Sequence, residues 1–284
     1  MNYLIKRNLM VFFKNKAAVF YSFLSVIIII GLYILFLGDT IVSNSEELPG
    51  MRFVLDSWIM AGVIAVTTVT TLLGSLSYMI SDREDKIYKD FVAAPLKRNH
   101  IVLGYIISSF IISTILTLFT VVFAEIYIVM YGGELLSWVA FVKVLGIILL
   151  NEVFSCFMCF LLVSSFKNMN AFSAASTIVG TLIGFLTGIY VPIGSLPTTV
   201  QTVIKIFPPS HAGSLLRKVM MEDGMKVTFS GIPAEYVEEF ETMLGVTYKI
   251  GDKIISPAHS IAYLLILSAL FLVLSIILIS RKEK

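Results

Sequence analysis

Three ionisable side chains, Glu125, Lys143 and Glu152, stand inside otherwise apolar stretches of this chain. Holding a charge in hydrocarbon is costly, so such residues mark either ion, proton or substrate chemistry or a fixed internal pair. Glu125 lies six residues before Tyr131, and Lys143 lies six after Ser137. At ~1.5 Å per helical residue both sit about 9 Å from the ends of helices joined by a short hairpin. An ion pair between them is therefore expected, serving to orient the hairpin. Glu152, beside Asn151, lies deeper and has no evident partner; a polar cavity or a bundle interface would accommodate it. His100, His211 and His259 fall in separate connections, so a metal cluster is not expected. Cys156 and Cys159 form a C-x-x-C inside an apolar run, which reads as two buried thiols one helical turn apart. The chain has no G-x-x-x-x-G-K-[ST], no H-E-x-x-H and no G-x-S-x-G. No catalytic role and no cofactor or metal site in this chain are expected.

The elements that must hold these residues are long apolar runs, at about 17–37, 57–80, 101–131, 137–163, 171–191 and 258–280. Each reaches the roughly 20 residues that an α-helix needs to cross a bilayer. Backbone groups in lipid must be paired internally, and the runs lack the period-2 alternation of barrel strands. The composition, 57% hydrophobic and 14% charged, fits an all-α integral membrane protein of six spans forming a single domain over 1–284. The formal net charge of +2 gives no reason to expect nucleic acid as a partner. The first run follows basic residues, but its length and the lack of a small-residue cleavage site before Asp39 make it a retained span.

Charge is unevenly distributed between the two sides. Segments 1–16, 81–100, 164–170 and 281–284 carry four, five, one and three Lys/Arg. The much longer set 38–56, 132–136 and 192–257 carries one, none and six. Basic residues favour the inner side, so both termini are expected in the cytoplasm of a cell-membrane protein.

The connections have patterns of their own. Residues 2–16 form an amphipathic segment with Ile5, Leu9, Phe12 and Phe13 on one face and Arg7 and Lys14 opposite, suited to the inner interface. In the inner loop 81–100 a short charged helix is expected to end near Pro95, with Ile87, Tyr88 and Phe91 as an apolar edge. A solvated linker has no use for such an edge; a docking surface for a cytoplasmic partner does. Thr67, Thr70, Thr71, Gly74 and Ser75 of the second run favour close helix packing over a passage lining. Gly180, Gly184 and Gly188 form a small-residue ridge on the fifth run, in this chain or toward a second copy. Segment 192–257 carries two short amphipathic stretches, the first starting after Pro197 and stopped by Pro208-Pro209, the second capped by Ser210. Both suit re-entrant or interfacial helices. A third, soluble helix is expected near Pro233–Leu244, and Pro257 with Ser256 as cap opens the last span.

This order of features resembles the membrane subunit of type 2 ABC exporters, the ABC-2 permeases. The resemblance rests on the amphipathic helix before span one and on the loop pattern Glu84…Phe91-x-x-Ala94-Pro95-Leu96-x-Arg98. It rests equally on Gly188-x-x-x-Pro192 followed by Leu196-Pro197, and on Pro208-Pro209…Arg217 before the final span. It covers nearly the whole chain, although the insert at about 222–256 departs from the family's pattern. The resemblance implies a separate ABC ATPase that binds ATP and Mg and docks on Glu84, Ile87, Tyr88, Phe91 and Pro95. It also implies a second permease copy, homologous or identical, meeting this one near the first and fifth spans, where Gly180, Gly184 and Gly188 are the matching positions. Two other classes are compatible with the residues alone. An ion-coupled secondary transporter would use Glu125, Lys143 and Glu152; a membrane scaffold or immunity protein would transport nothing.

Overall fold

The computed structural model describes residues 1–33, 48–94, 97–251 and 253–281. α1 (Asn2–Lys14) meets α2 (Lys16–Leu32) at a 74° bend. The central helix α3 (Met51–Leu76) continues into α4 (Tyr78–Glu84), followed by the short α5 (Ile87–Ala93). Three long apolar helices come next: α6 (Arg98–Met130), α7 (Trp138–Ser164) and α8 (Met169–Leu186). The remainder comprises α9 (Thr198–Ile206), α10 (Pro208–Met220), α11 (Glu222–Thr228), α12 (Ala234–Leu244), a two-stranded hairpin pairing Lys249 with Ile254, and α13 (Pro257–Arg281). Five of these helices are long and apolar enough to cross a membrane, six if the bent α1–α2 pair counts as one span.

α3 is the hub of the bundle. Only Arg52, Phe53, Thr70 and Gly74 of its residues escape full burial, and it packs against α2, α6, α7, α8 and α10. Its threonine hydroxyls bond back to the helix backbone, as in Thr67 Oγ1 donating to Val63 O at 2.8 Å, which lets a Thr-rich helix sit in an apolar bundle. α1 buries Leu4, Asn8 and Phe12 against α6, where Gly104 leaves room for the Leu4 side chain. This face is rotated from the expected one: Phe13 is exposed, and Arg7 points into the protein.

The fifth span is shorter than its apolar run. α8 ends at Leu186, with Gly188 N donating to Phe185 O and Ile189 N to Gly184 O, a Schellman closure that requires the left-handed φ of +67° at Gly188. Gly188 is thus a helix stop and not part of a packing ridge. Tyr190 folds back over Gly184, and a Cβ at Gly180 would meet nothing within 4 Å. The three glycines do not form one contact face within the chain.

Pro208-Pro209 starts α10 instead of merely ending α9, since proline fits the first helical turn, where N–H groups are unpaired in any case. Ser210 is no N-cap; it lies inside the helix and its hydroxyl donates to Ile204 O and Phe207 O. α10 is nearly all buried, wedged between α3, α7 and α13, while α12 matches its expected position and stays largely exposed. Ser256 caps α13 by accepting from His259 N at 3.4 Å.

Gly188→Ala forces an L side chain to φ +67° and sets its methyl 2.6 Å from Ile193 Cγ1, so the variant should lose about 1–3 kcal/mol. Gly180→Ala has open space and should be neutral or gain up to about 1 kcal/mol of helix propensity. Thermal unfolding of the purified chain checks both.

Candidate functional site

At the end of the bundle that carries the N-terminus, α4 and α5 are tied to three other elements. Asp82, buried at the end of the second span, accepts from Arg7 Nη1 at 2.5 Å and Nη2 at 2.8 Å, and from the Tyr105 hydroxyl of α6. The Arg7 guanidinium is held above its ordinary pKa by its hydrogen bonds to Asp82, against the opposing effect of partial burial. Its other face lies over the Phe91 ring at 5.4 Å, a cation–π contact that anchors α5 to α1. Asn8 Nδ2 donates to Ser108 Oγ, adding a second α1–α6 tie. Glu84 reaches the opposite way: its Oε2 accepts from Met169 N at 3.0 Å, while Asn168 Oδ1 accepts from Ala171 N. Two acceptors thus serve the N-terminus of α8, where free N–H groups and the helix dipole favour them.

Of the docking edge expected from Ile87, Tyr88 and Phe91, two residues turn toward the protein and Ile87 is half-buried. Tyr88 and Phe91 pack on the core, Tyr88 also against the Arg83 guanidinium at 5.6 Å. Lys89, Asp90, Val92 and Ala93 form the exposed face of α5. Between α4 and α5, Lys86 takes φ +66°, the sole non-glycine positive φ among the described residues, a sharp break whose strain costs of order 1 kcal/mol. Pro95 lies outside the described residues.

Directly beside this junction is a groove of about 500 Å³ between the α1–α2 bend, α3–α4 and the start of α8. Asn15, Ser22, Thr70, Ser77, Tyr78 and Ser81 line it with amide and hydroxyl groups, and no charged side chain does so among the described residues. Thr70 and Gly74, the two α3 positions in that half that are not fully buried, are thus groove residues, while Thr67, Thr71 and Ser75 serve packing.

Deeper in the bundle, Glu152 has the partners that sequence inspection did not find. Its Oε1 accepts from Ser113 Oγ at 2.9 Å and Thr117 Oγ1 at 3.1 Å, both from α6. Ser113 also contacts Thr71 Oγ1 at 2.6 Å, and Asn151 Nδ2 donates to Thr68 Oγ1 and Ala65 O. This network joins α3, α6 and α7. Because these groups are buried, the network fixes the relative register of the three helices.

The expected Glu125–Lys143 pair does not form. Glu125 Oε2 accepts from Leu136 N at 2.9 Å, because the hairpin folds back over the end of α6. Lys143 points away, on the side of α7 bearing Ile147 and Leu150, and lies 4.0 Å from Glu222 of α11. Glu125, Lys143 and Glu152 therefore have separate surroundings and share no site.

At the far end from the α4–α5 junction, Arg217 of α10 is fully buried. Its Nη2 donates to Thr187 O and Gly188 O, both at 2.9 Å, capping the C-terminal carbonyls of α8. Its guanidinium lies 5.1 Å from the Trp58 ring of α3, and Trp58 Nε1 donates to Leu244 O. Burial lowers the Arg217 pKa to about 10, which still leaves it charged at neutral pH.

The Arg7–Asp82 link yields a direct test. Arg7→Met leaves a buried carboxylate with the Tyr105 hydroxyl, and Asp82→Asn leaves the guanidinium without its anion. The Asp82 side chain is 4% exposed and that of Arg7 28%, so each single change should cost about 1–3 kcal/mol, below the ~3–5 of a fully buried pair. The double variant should be milder than the sum of the two, with a coupling of about 0.5 kcal/mol or more in thermal unfolding. Additive effects would mean that the contact holds nothing together.

The family model described as ABC-2 family transporter protein matches residues 38–277, from the end of the first span through most of the last. No curated protein matches the chain at a significant level.

Proposed function

Since this chain belongs to the ABC-2 family of transporter proteins, we propose that it is the permease subunit of an ATP-binding cassette exporter, moving substrate outward. ATP and Mg would be bound by a separate ATPase subunit, in keeping with a chain that carries no nucleotide motif of its own. The termini and the α4–α5 junction would face the cytoplasm of a cell membrane, as the distribution of Lys and Arg favours.

The observation that carries the reading is the set of ties made by α4 and α5. A partner pressing on α5 moves Phe91, hence Arg7 and α1; through Asp82 it moves α6; through Glu84 it moves the start of α8. Of those elements, α1 and the start of α8 border the hydroxyl-lined groove, together with α4 itself. A shift of the junction thus changes the width of the groove, as rigid-body coupling requires. The groove suits a ligand whose polar part is served by hydroxyl and amide groups instead of charge. α8 and α13 are the spans least covered by the rest of the chain, and α8 exposes Ser173, Thr177 and Thr181 beside Ile178 and Leu182. A second permease copy against α8 would bury that face. The separate surroundings of Glu125, Lys143 and Glu152 give an ion-coupled mechanism no common site.

The ATPase would contact the outward face of α5, not its packed edge. Val92→Asp should reduce copurification of the ATPase about tenfold or more, the effect of one interface anchor, while leaving the thermal stability of the permease unchanged. Phe91→Asp should destabilise the permease itself by removing the Arg7 contact. Unaltered ATPase capture by Val92→Asp would refute the docking face. A cysteine placed at Glu238 should label only from outside intact cells and one at Lys89 only from inside; the reverse pattern would invert the orientation.

A further inference from the structure

A second groove, about 540 Å³, lies between α7, α10 and α13 on the membrane side opposite the termini. It takes no part in the coupling arrangement. Ile147, Leu150, Leu215 and Ile261 make its wall apolar, and among the described residues three charged side chains reach it: Lys143, Lys218 and Glu222. The two lysines are 53% and 44% exposed in their side chains, and their carboxylate partners are loose, Glu222 at 4.0 Å and Glu241 at 3.6 Å. Glu222 is engaged more closely by Lys226, at 2.9 Å. The groove therefore presents two accessible ammonium groups, each with only a long contact to a carboxylate of its own.

Its depth says what meets those cations. Trp138, 76% exposed and stacked on Phe141, marks the interface on this side, where aromatic rings collect at headgroup level. Lys143 lies five residues further along α7, roughly 8 Å deeper at ~1.5 Å per residue, and a lysine there extends toward the headgroups. The first turn of α13, with Pro257 in the lining, adds the positive end of a helix dipole. Below the cations, Gly146 leaves the floor open: a Cβ there would meet nothing within 4 Å.

We propose that this groove binds an anionic phospholipid of that leaflet, its phosphate between Lys143 and Lys218 and an acyl chain along Gly146 and Leu150. Charge complementarity selects the anion, and the open apolar floor selects a chain over a soluble ion. Glu222 competes with the phosphate for Lys143.

The full chain in detergent, incubated with dioleoyl phosphatidylglycerol or dioleoyl phosphatidylcholine, is examined by native mass spectrometry. Phosphatidylglycerol should be retained about fivefold to tenfold better, the size of one or two lysine–anion contacts. Lys143→Met should bring it down to the phosphatidylcholine level. Gly146→Leu fills the floor without touching a charge and should have the same effect. Glu222→Gln should raise retention, and Lys226→Met should not lower it. Equal retention of the two lipids would overturn the anion requirement, and undiminished binding to Gly146→Leu would overturn the acyl seat. A dimer that dissociates on either groove substitution would assign the surface to a second copy and overturn the proposal.

Discussion

A buried arginine holds the far end of this bundle together. Arg217 is wholly enclosed, yet its guanidinium has backbone carbonyls at the open end of α8 and the face of Trp58 for company. A helix terminus inside the protein leaves carbonyls without donors, and an unpaired carbonyl away from water costs about 1–3 kcal/mol. A cation with several donors, placed at the negative end of the helix dipole, meets that need and is itself stabilised by it. The consequences spread from there. α8 can stop at Gly188, short of its full apolar run, and the chain can turn back into α9 and α10 beneath it. Gly62 of α3 lets Ile189 and Arg217 come close, since a Cβ there would sit 2.5 Å from Ile189. The end of α12 and the segment after it are drawn in as well: Trp58 Nε1 donates to Leu244 O, Ser214 Oγ to Val246 O, and the Tyr248 hydroxyl to Ser210 O.

The middle of the bundle is held differently, by hydroxyls and one carboxylate. Apolar side chains gain little from leaving lipid for one another, so helix association there depends on close packing and interhelical hydrogen bonds. Thr68 and Thr71 of α3, Ser113 and Thr117 of α6, and Asn151 and Glu152 of α7 provide such bonds at one level. Each helix contributes short side chains, which keeps the backbones near enough for the bonds to form. Glu152 is best understood as the acceptor that makes the hydroxyl positions of α6 consistent with one another. Its Oε1 is shared between the Ser113 and Thr117 hydroxyls.

Much of the architecture could be read from the chain, because hydrophobic length is a local property. The runs at 101–131, 137–163 and 258–280 differ from α6, α7 and α13 by a few residues at their ends. The differences lie where the tertiary fold, and not spacing along the chain, decides which group a side chain meets. Glu125 and Lys143 lie at similar depth across a hairpin, but the carboxylate takes the hairpin's own Leu136 amide, and the lysine faces a segment about 80 residues further on. Helical periodicity correctly grouped Ile87, Tyr88 and Phe91, but it cannot tell whether an apolar edge meets another chain or the protein's own Arg7. Gly180, Gly184 and Gly188 are spaced like a ridge, although the last of them is where the helix ends. Asp82, Arg7 and Tyr105 gave no local signal at all, being 75 and 23 residues apart.

The two ends of the bundle are therefore built for different duties. At the far end, Arg217 is enclosed among backbone carbonyls and an indole, so shifting α8 against α3 there would strand a buried charge. At the junction end, the ties run through long side chains: a part-exposed guanidinium, an exposed glutamate at a helix start and a ring stacked on a cation. The glutamate and cation–π contacts tolerate changes in angle at small cost because water can replace part of each, while the Arg7–Asp82 pair, with its buried carboxylate, keeps α1 and α4 together. The strained Lys86 between α4 and α5 places a bend in the same region. A force applied at α5 thus meets little resistance near the hydroxyl-lined groove and much at Arg217, so α8 would tilt about its far end instead of sliding. Tilting changes the width of the groove most where α8 begins, beside Met169 and Ser81, which is where the groove lies.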